Sequence, residues 1–86
     1  MIKADLPAIT SDVAQRLAAR QNGIKLRVLP EKTFATEVTV WVFVDVAGGE
    51  GKDSLEVIRL FESVEKETSK RFNVDVMILP EPPEYQ

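Results

Sequence analysis

The sequence predicts a two-layer α+β domain, ordered helix-strand-strand-helix-strand, whose three-stranded mixed sheet is covered on one face by two helices. Three observations point there. Segments 24–29, 38–46 and 74–79 alternate with a period of two, as half-buried strands do. Two other segments repeat their apolar residues at helical spacing. Gly or Pro punctuates the joins.

The first helix lies between an N-cap at Asp5 or Ser11 and a stop at Asn22-Gly23. Ile9, Val13 and Leu17, with Ala14 and Ala18 beside them, form its apolar stripe. "IKLRVL" then places Ile24, Leu26 and Val28 on one side and Lys25, Arg27 and Leu29 on the other. Pro30 ends this strand, and "EKTFATE" reads as a connecting loop. A long strand follows from about Glu37 to Val46, the most hydrophobic stretch of the chain.

Gly48, Gly49 and Gly51 break the chain, and Asp53 with Glu56 three residues on forms a capping box. From Ser54 to Phe72 the second helix carries Val57, Leu60, Phe61, Val64, Thr68 and Phe72 at helical spacing, over roughly 28 Å. Glu62–Lys66 and Glu67–Arg71 are i, i+4 ion pairs in the favourable orientation. "VDVMIL" is the third strand, with Val74, Val76 and Ile78 on one face and Asp75, Met77 and Leu79 on the other. Residues 1–79 thus form one domain, and 80–86, "PEPPEYQ", a proline-rich tail. The first two strands pair antiparallel, and the second helix returns the chain so that the third runs parallel to the second.

Eighty-six residues suffice for one small core, and 44% hydrophobic with 29% charged residues is globular composition. The chain has no Cys and no His, which removes the thiol nucleophile, the thiolate zinc site, and the commonest metal ligand and general base. A net charge of -3 speaks against a nucleic-acid surface. No apolar run approaches the roughly 18 residues of a membrane span, and no signal segment is visible, so a cytoplasmic location without membrane contact is expected.

Both helices are needed over the valine face, which carries Val38, Val40, Val42, Val44 and Val46. The opposite face then stays open. It groups Lys25, Arg27 and Leu29, then Thr39, Trp41, Phe43 and Asp45, then Asp75, Met77 and Leu79. A contiguous apolar group containing Trp marks an interaction surface. Trp41, Phe43, Arg27, Met77 and Leu79 are its candidate residues, for a second copy of the chain or a partner protein. The alternative cover is the tail, with Pro82, Pro83 and Tyr85 laid over Trp41.

Two features look chemical. "AGGEGKDS" joins a strand to a helix as a phosphate loop does, but that loop needs Gly where Val46 stands and Ser or Thr where Asp53 stands. Asp53 would repel the phosphate, so a flexible turn ending in a cap is the better reading. Glu37, Asp45 and Asp75 are acids near the open face. Metal-assisted phosphoryl transfer needs two carboxylates to converge. Asp45 ends its strand and Asp75 begins its own, so parallel pairing holds them apart. No metal or cofactor is expected.

From the first helix through "VDVMIL", the layout resembles the minimal nucleotidyltransferase domain of small antitoxin-like proteins. "FVDV" after an alternating strand and "FNVDVMILPE" after a charged helix carry the resemblance. It implies the two-layer scaffold and, in complete members, a Gly-Ser turn and an Asp-x-Asp pair that hold metal and nucleotide. Here "LPEKTF" replaces the Gly-Ser turn, and Thr39 and Trp41 stand at the acidic positions. Asp75 alone matches a family carboxylate, as a relic acid. The resemblance therefore implies a degenerate member without catalysis. The expected function is an interaction module, antitoxin-like or dimer-forming. The alternative is a nucleotide- or small-ligand-binding domain, or a nucleotidyltransferase-type enzyme, using Gly48–Lys52 and Asp75.

Overall fold

The computed structural model describes residues 5–20, 24–46 and 55–81. Its elements are helix α1 (Leu6–Arg20), strand β1 (Leu26–Val28), a 3₁₀ turn (Pro30–Lys32), strands β2 (Phe34–Ala35) and β3 (Thr39–Val46), helix α2 (Leu55–Phe72) and strand β4 (Asp75–Pro80). The predicted two-layer α+β class is the one observed.

Helix α1 is capped by Asp5, whose Oδ1 accepts from the Ala8 N–H at 3.1 Å; Ser11 lies inside the helix. The predicted stop at Asn22-Gly23 lies outside the described residues, as do the Asp53 cap and the glycine turn before α2. Helix α2 ends on Asn73, which takes the left-handed conformation at φ 55°. The Val74 N–H then closes back on the Ser69 carbonyl at 3.3 Å, which satisfies an orphan acceptor of the last turn.

Strand β3 is the central strand. It pairs antiparallel with β1 and β2 and parallel with β4. Backbone direction shows which neighbour lies on which side. The Thr39 and Phe43 carbonyls accept from Thr36 and Leu29, whereas the Val44 carbonyl accepts from Glu81. Strands β1 and β2 therefore lie end to end along one side of β3, and β4 takes the other. The sheet has the three predicted strand positions, with the first one split.

The split corrects the reading of "EKTFATE" as a plain loop. Six positions separate Val28 from Phe34, but only three separate their partners Val44 and Trp41. The three residues in excess are looped out as the 3₁₀ turn that Pro30 starts. After it, Phe34 and Ala35 rejoin β3.

The core forms where expected, between the sheet and both helices. Ile9, Val13 and Leu17 of α1 and Val57, Phe61 and Val64 of α2 close over Val40, Val42, Val44, Val46, Val76 and Ile78. Ile24, Leu26, Val28 and Val74 pack at its margin. Val38 is a correction: it is 72% exposed, because pairing begins only at Thr39. Leu29 is another, since it is buried rather than open.

The helices also meet through a polar seam. Asp12 is buried on α1, where Oδ2 accepts from Arg16 Nε (2.7 Å) and Thr68 Oγ1 (2.9 Å), and Oδ1 accepts from Arg71 Nη1 (2.6 Å). Glu67 of α2 accepts from Arg16 and from both terminal nitrogens of Arg20. The predicted Glu67–Arg71 pair is thus replaced by pairs between helices, because the packing brings Arg20 to Glu67 as a bidentate partner and Asp12 to Arg71 through one charged hydrogen bond.

Candidate functional site

Odd-numbered residues of β3 and β4 turn away from the helices, and the register arranges them in rows across the sheet. Thr39 stands beside Asp75 and is bonded to Thr36. In the next row Phe34, Trp41 and Met77 lie side by side. Leu29, Phe43 and Leu79 make the third row. Arg27 and Asp45 begin the fourth, with Glu81 one step past the Pro80–Val44 pair. Rows two residues apart are about 7 Å apart along a strand. The face therefore has two apolar rows held between a polar row and a charged one.

The aromatic residues are stacked. The Phe34 ring lies 6.4 Å from the Trp41 ring at 18° and 6.3 Å from the Phe43 ring at 24°. Such contacts add about 0.5–1.5 kcal/mol to simple burial. Leu29 is covered, Trp41, Phe43, Met77 and Leu79 are half-buried, and Phe34 is 47% exposed. Lys32 of the 3₁₀ turn forms an ion pair with Glu81 beyond β4, so the block is also tied from edge to edge.

Four of the five predicted interaction residues, Trp41, Phe43, Met77 and Leu79, come together in the two apolar rows. Arg27 stands apart in the charged row, opposite Asp45. Phe34 was missed. The only signal was the aromatic and β-branched run "TFAT", too short to show a period.

Asp75 is engaged structurally: the Thr39 hydroxyl donates to its Oδ2 at 2.8 Å. Asp45 lies six positions further along β3, about 20 Å away at strand spacing. The two carboxylates do not converge. Among the described residues, no cluster of three or more acids is placed to hold a metal ion. Gly48–Lys52 lies outside the described residues. No described helix is long and apolar enough to cross a membrane.

The sheet edges are closed to a further strand. On β4 the outward Val76 N–H donates to Ser69 Oγ at 3.0 Å and the Ile78 N–H to Glu65 Oε2 at 2.7 Å. Pro80, next in this series, has no N–H to offer. Ser69 and Glu65 are four apart on α2 and so share one helix face. Burial pushes the Glu65 carboxyl above its ordinary pKa; the Ile78 N–H opposes that rise, and the nearby Glu62 and Asp75 charges add to it. The opposite edge is two short strands broken by a turn. Short or capped edges suppress edge-to-edge pairing. The open face is what this sheet offers.

No family model, curated protein or solved structure matches this chain. The nucleotidyltransferase-like resemblance therefore rests on the sequence pattern alone.

Proposed function

We propose that this protein is a non-catalytic interaction module that self-associates through its open sheet face. The observation that carries the reading is the stacked group Phe34, Trp41 and Phe43, which stands on the side of the sheet that neither described helix covers. Lys32 and Glu81, on opposite edges of the face, pair with each other within the chain, so the aromatic group rather than the charges is what a second copy would meet.

Sedimentation equilibrium of the parent, of Trp41→Ala and of Phe34→Asp tests this, with circular dichroism to confirm folding. A hot-spot Trp costs about 2 kcal/mol or more on truncation, roughly thirtyfold in Kd. Both variants should dissociate while staying folded. A parent that is strictly monomeric at high concentration overturns the reading. An antitoxin-like role, with a different protein on the same face, would then be the next to test. Heat of binding on titration with magnesium and a nucleoside triphosphate would instead favour the nucleotide-handling alternative.

A further inference from the structure

A second surface lies away from the aromatic rows, along the free side of β1. A groove of about 480 Å³ runs there between α1 and β1, within the roughly 300–1,000 Å³ usual for small-molecule sites. Pro7 and Ala14 of α1, with Leu26, Val28 and Pro30, make its walls largely apolar. Leu26, Arg27 and Val28 all line it, although successive residues of a strand turn to opposite faces. The groove therefore wraps the edge of the strand, and Arg27 reaches it from the side opposite to Leu26 and Val28.

Its polar groups are mainly donors. Arg27 is exposed and belongs to none of the ion pairs among the described residues, although Asp45 stands opposite it on β3. Ser11 Oγ accepts from Gln15 Nε2 at 3.2 Å, which leaves its own proton for an outside acceptor. The Leu29 N–H donates to the Phe43 carbonyl, so the alternation of the ladder pairs Arg27 with β3 and turns the Val28 N–H outward. Thr10 is the exception, since its hydroxyl donates to the Leu6 carbonyl at 2.7 Å. No carboxylate of the described residues lines this groove. The groove between α2 and β4, about 340 Å³, is the contrast: Glu62 and Glu65 stand in its walls.

We propose that the groove beside β1 binds an amphipathic monocarboxylate, its apolar chain between α1 and β1 and its carboxylate on Arg27. A guanidinium presents a planar fork of N–H donors, which a carboxylate accepts in pairs. Ser11 and Val28 supply further donors beside it. A small ligand fits better than an extended peptide, because β1 has only three residues against which a strand could pair. The site shares no residue with the aromatic rows, so it stands independently of self-association.

The experiment titrates the isotope-labelled full chain with octanoate below its micellar concentration and follows the amide resonances. Octanol and octylammonium serve as the neutral and cationic counterparts. Octanoate should shift Ala14, Leu26 and Val28 saturably, octanol should bind more weakly, and octylammonium should leave them unmoved. Arg27→Gln, a change at an exposed position, should raise the Kd for octanoate on the order of tenfold, and Arg27→Lys should raise it less. Octanol binding as tightly as octanoate, or an unchanged Kd in Arg27→Gln, overturns the proposal. So does the absence of saturable shifts, or their concentration at Ile58 and Leu79 or at Trp41, which would mean apolar affinity without selection for charge.

Discussion

The Thr68 hydroxyl donates to Asp12 Oδ2 at 2.9 Å, joining α2 to α1 across a span of 56 residues. Neither group is solvent-exposed: Thr68 is 0% and Asp12 5% accessible. Arg16 and Arg71 complete the carboxylate's shell, so Asp12 is buried as a charge with its hydrogen bonds made.

Asp12→Ala should therefore destabilise the fold. It leaves Thr68 without its acceptor in the interior, although the exposed Arg71 can return to water. A hydrogen bond to a charged group is worth about 1.5–3 kcal/mol, and in a chain of this size that lowers Tm by about 10 °C or more. Thermal melts of Asp12→Ala and Thr68→Val check it. An Asp12→Ala melt within a degree or two of the parent would mean the seam contributes nothing.

Acid should weaken the same seam. The Arg20 guanidinium beside Glu67, with help from Arg16 and Ser63, outweighs desolvation and lowers that carboxyl to about 2. Burial opposes ionisation of Asp12, but the hydrogen bonds from Arg16, Thr68 and Arg71 hold it below its ordinary value. Both folded pKa values lie below the unfolded ones. Their contribution is thus present above the ordinary carboxylate range, about pH 4, and is lost as pH falls towards 2. Urea midpoints measured from pH 6 down to 2 should drop through that window, and Glu67→Gln should flatten the drop. A parent midpoint independent of pH there would contradict it.

Glu65 carries the opposite sign. Its folded pKa is raised, so its carboxylate is penalised in the folded state, and stability is lost as pH rises through that value. Gln keeps an acceptor for the Ile78 N–H without the buried charge. Glu65→Gln should be as stable as the parent or more so at pH 7. Glu65→Ala should lose about 1–3 kcal/mol by leaving that N–H unpaired. Urea titrations at pH 7 decide, and equal losses in both variants would refute the assignment.

Phe61 is 4% exposed beneath the sheet, so Phe61→Ala should cost about 3–5 kcal/mol. That approaches the whole stability of a small domain. A near-parental melt would show that α2 packs on the sheet through other residues.

What the sequence determined by itself was the set of elements and their faces. Alternation at "VTVWVFVDV" has only one reading once a face must be buried, and it placed Val40, Val42 and Val44 in the core and Trp41 and Phe43 opposite. Helical spacing likewise selected Phe61 and Val64. These are local properties, because the period of a backbone is set by its own dihedral angles. Tertiary structure decided what depends on neighbours. Val38 continues the alternation but has no paired strand beside it, so it is exposed. Phe34 lies in a run of only two paired residues, which shows no period, and it joins the aromatic group because three residues are looped out before it. The Asp12 seam depends on how two helices pack, and nothing near Asp12 in the chain reveals that Thr68 and Arg71 will face it. Periodicity specifies which way a side chain points; only packing specifies what it meets.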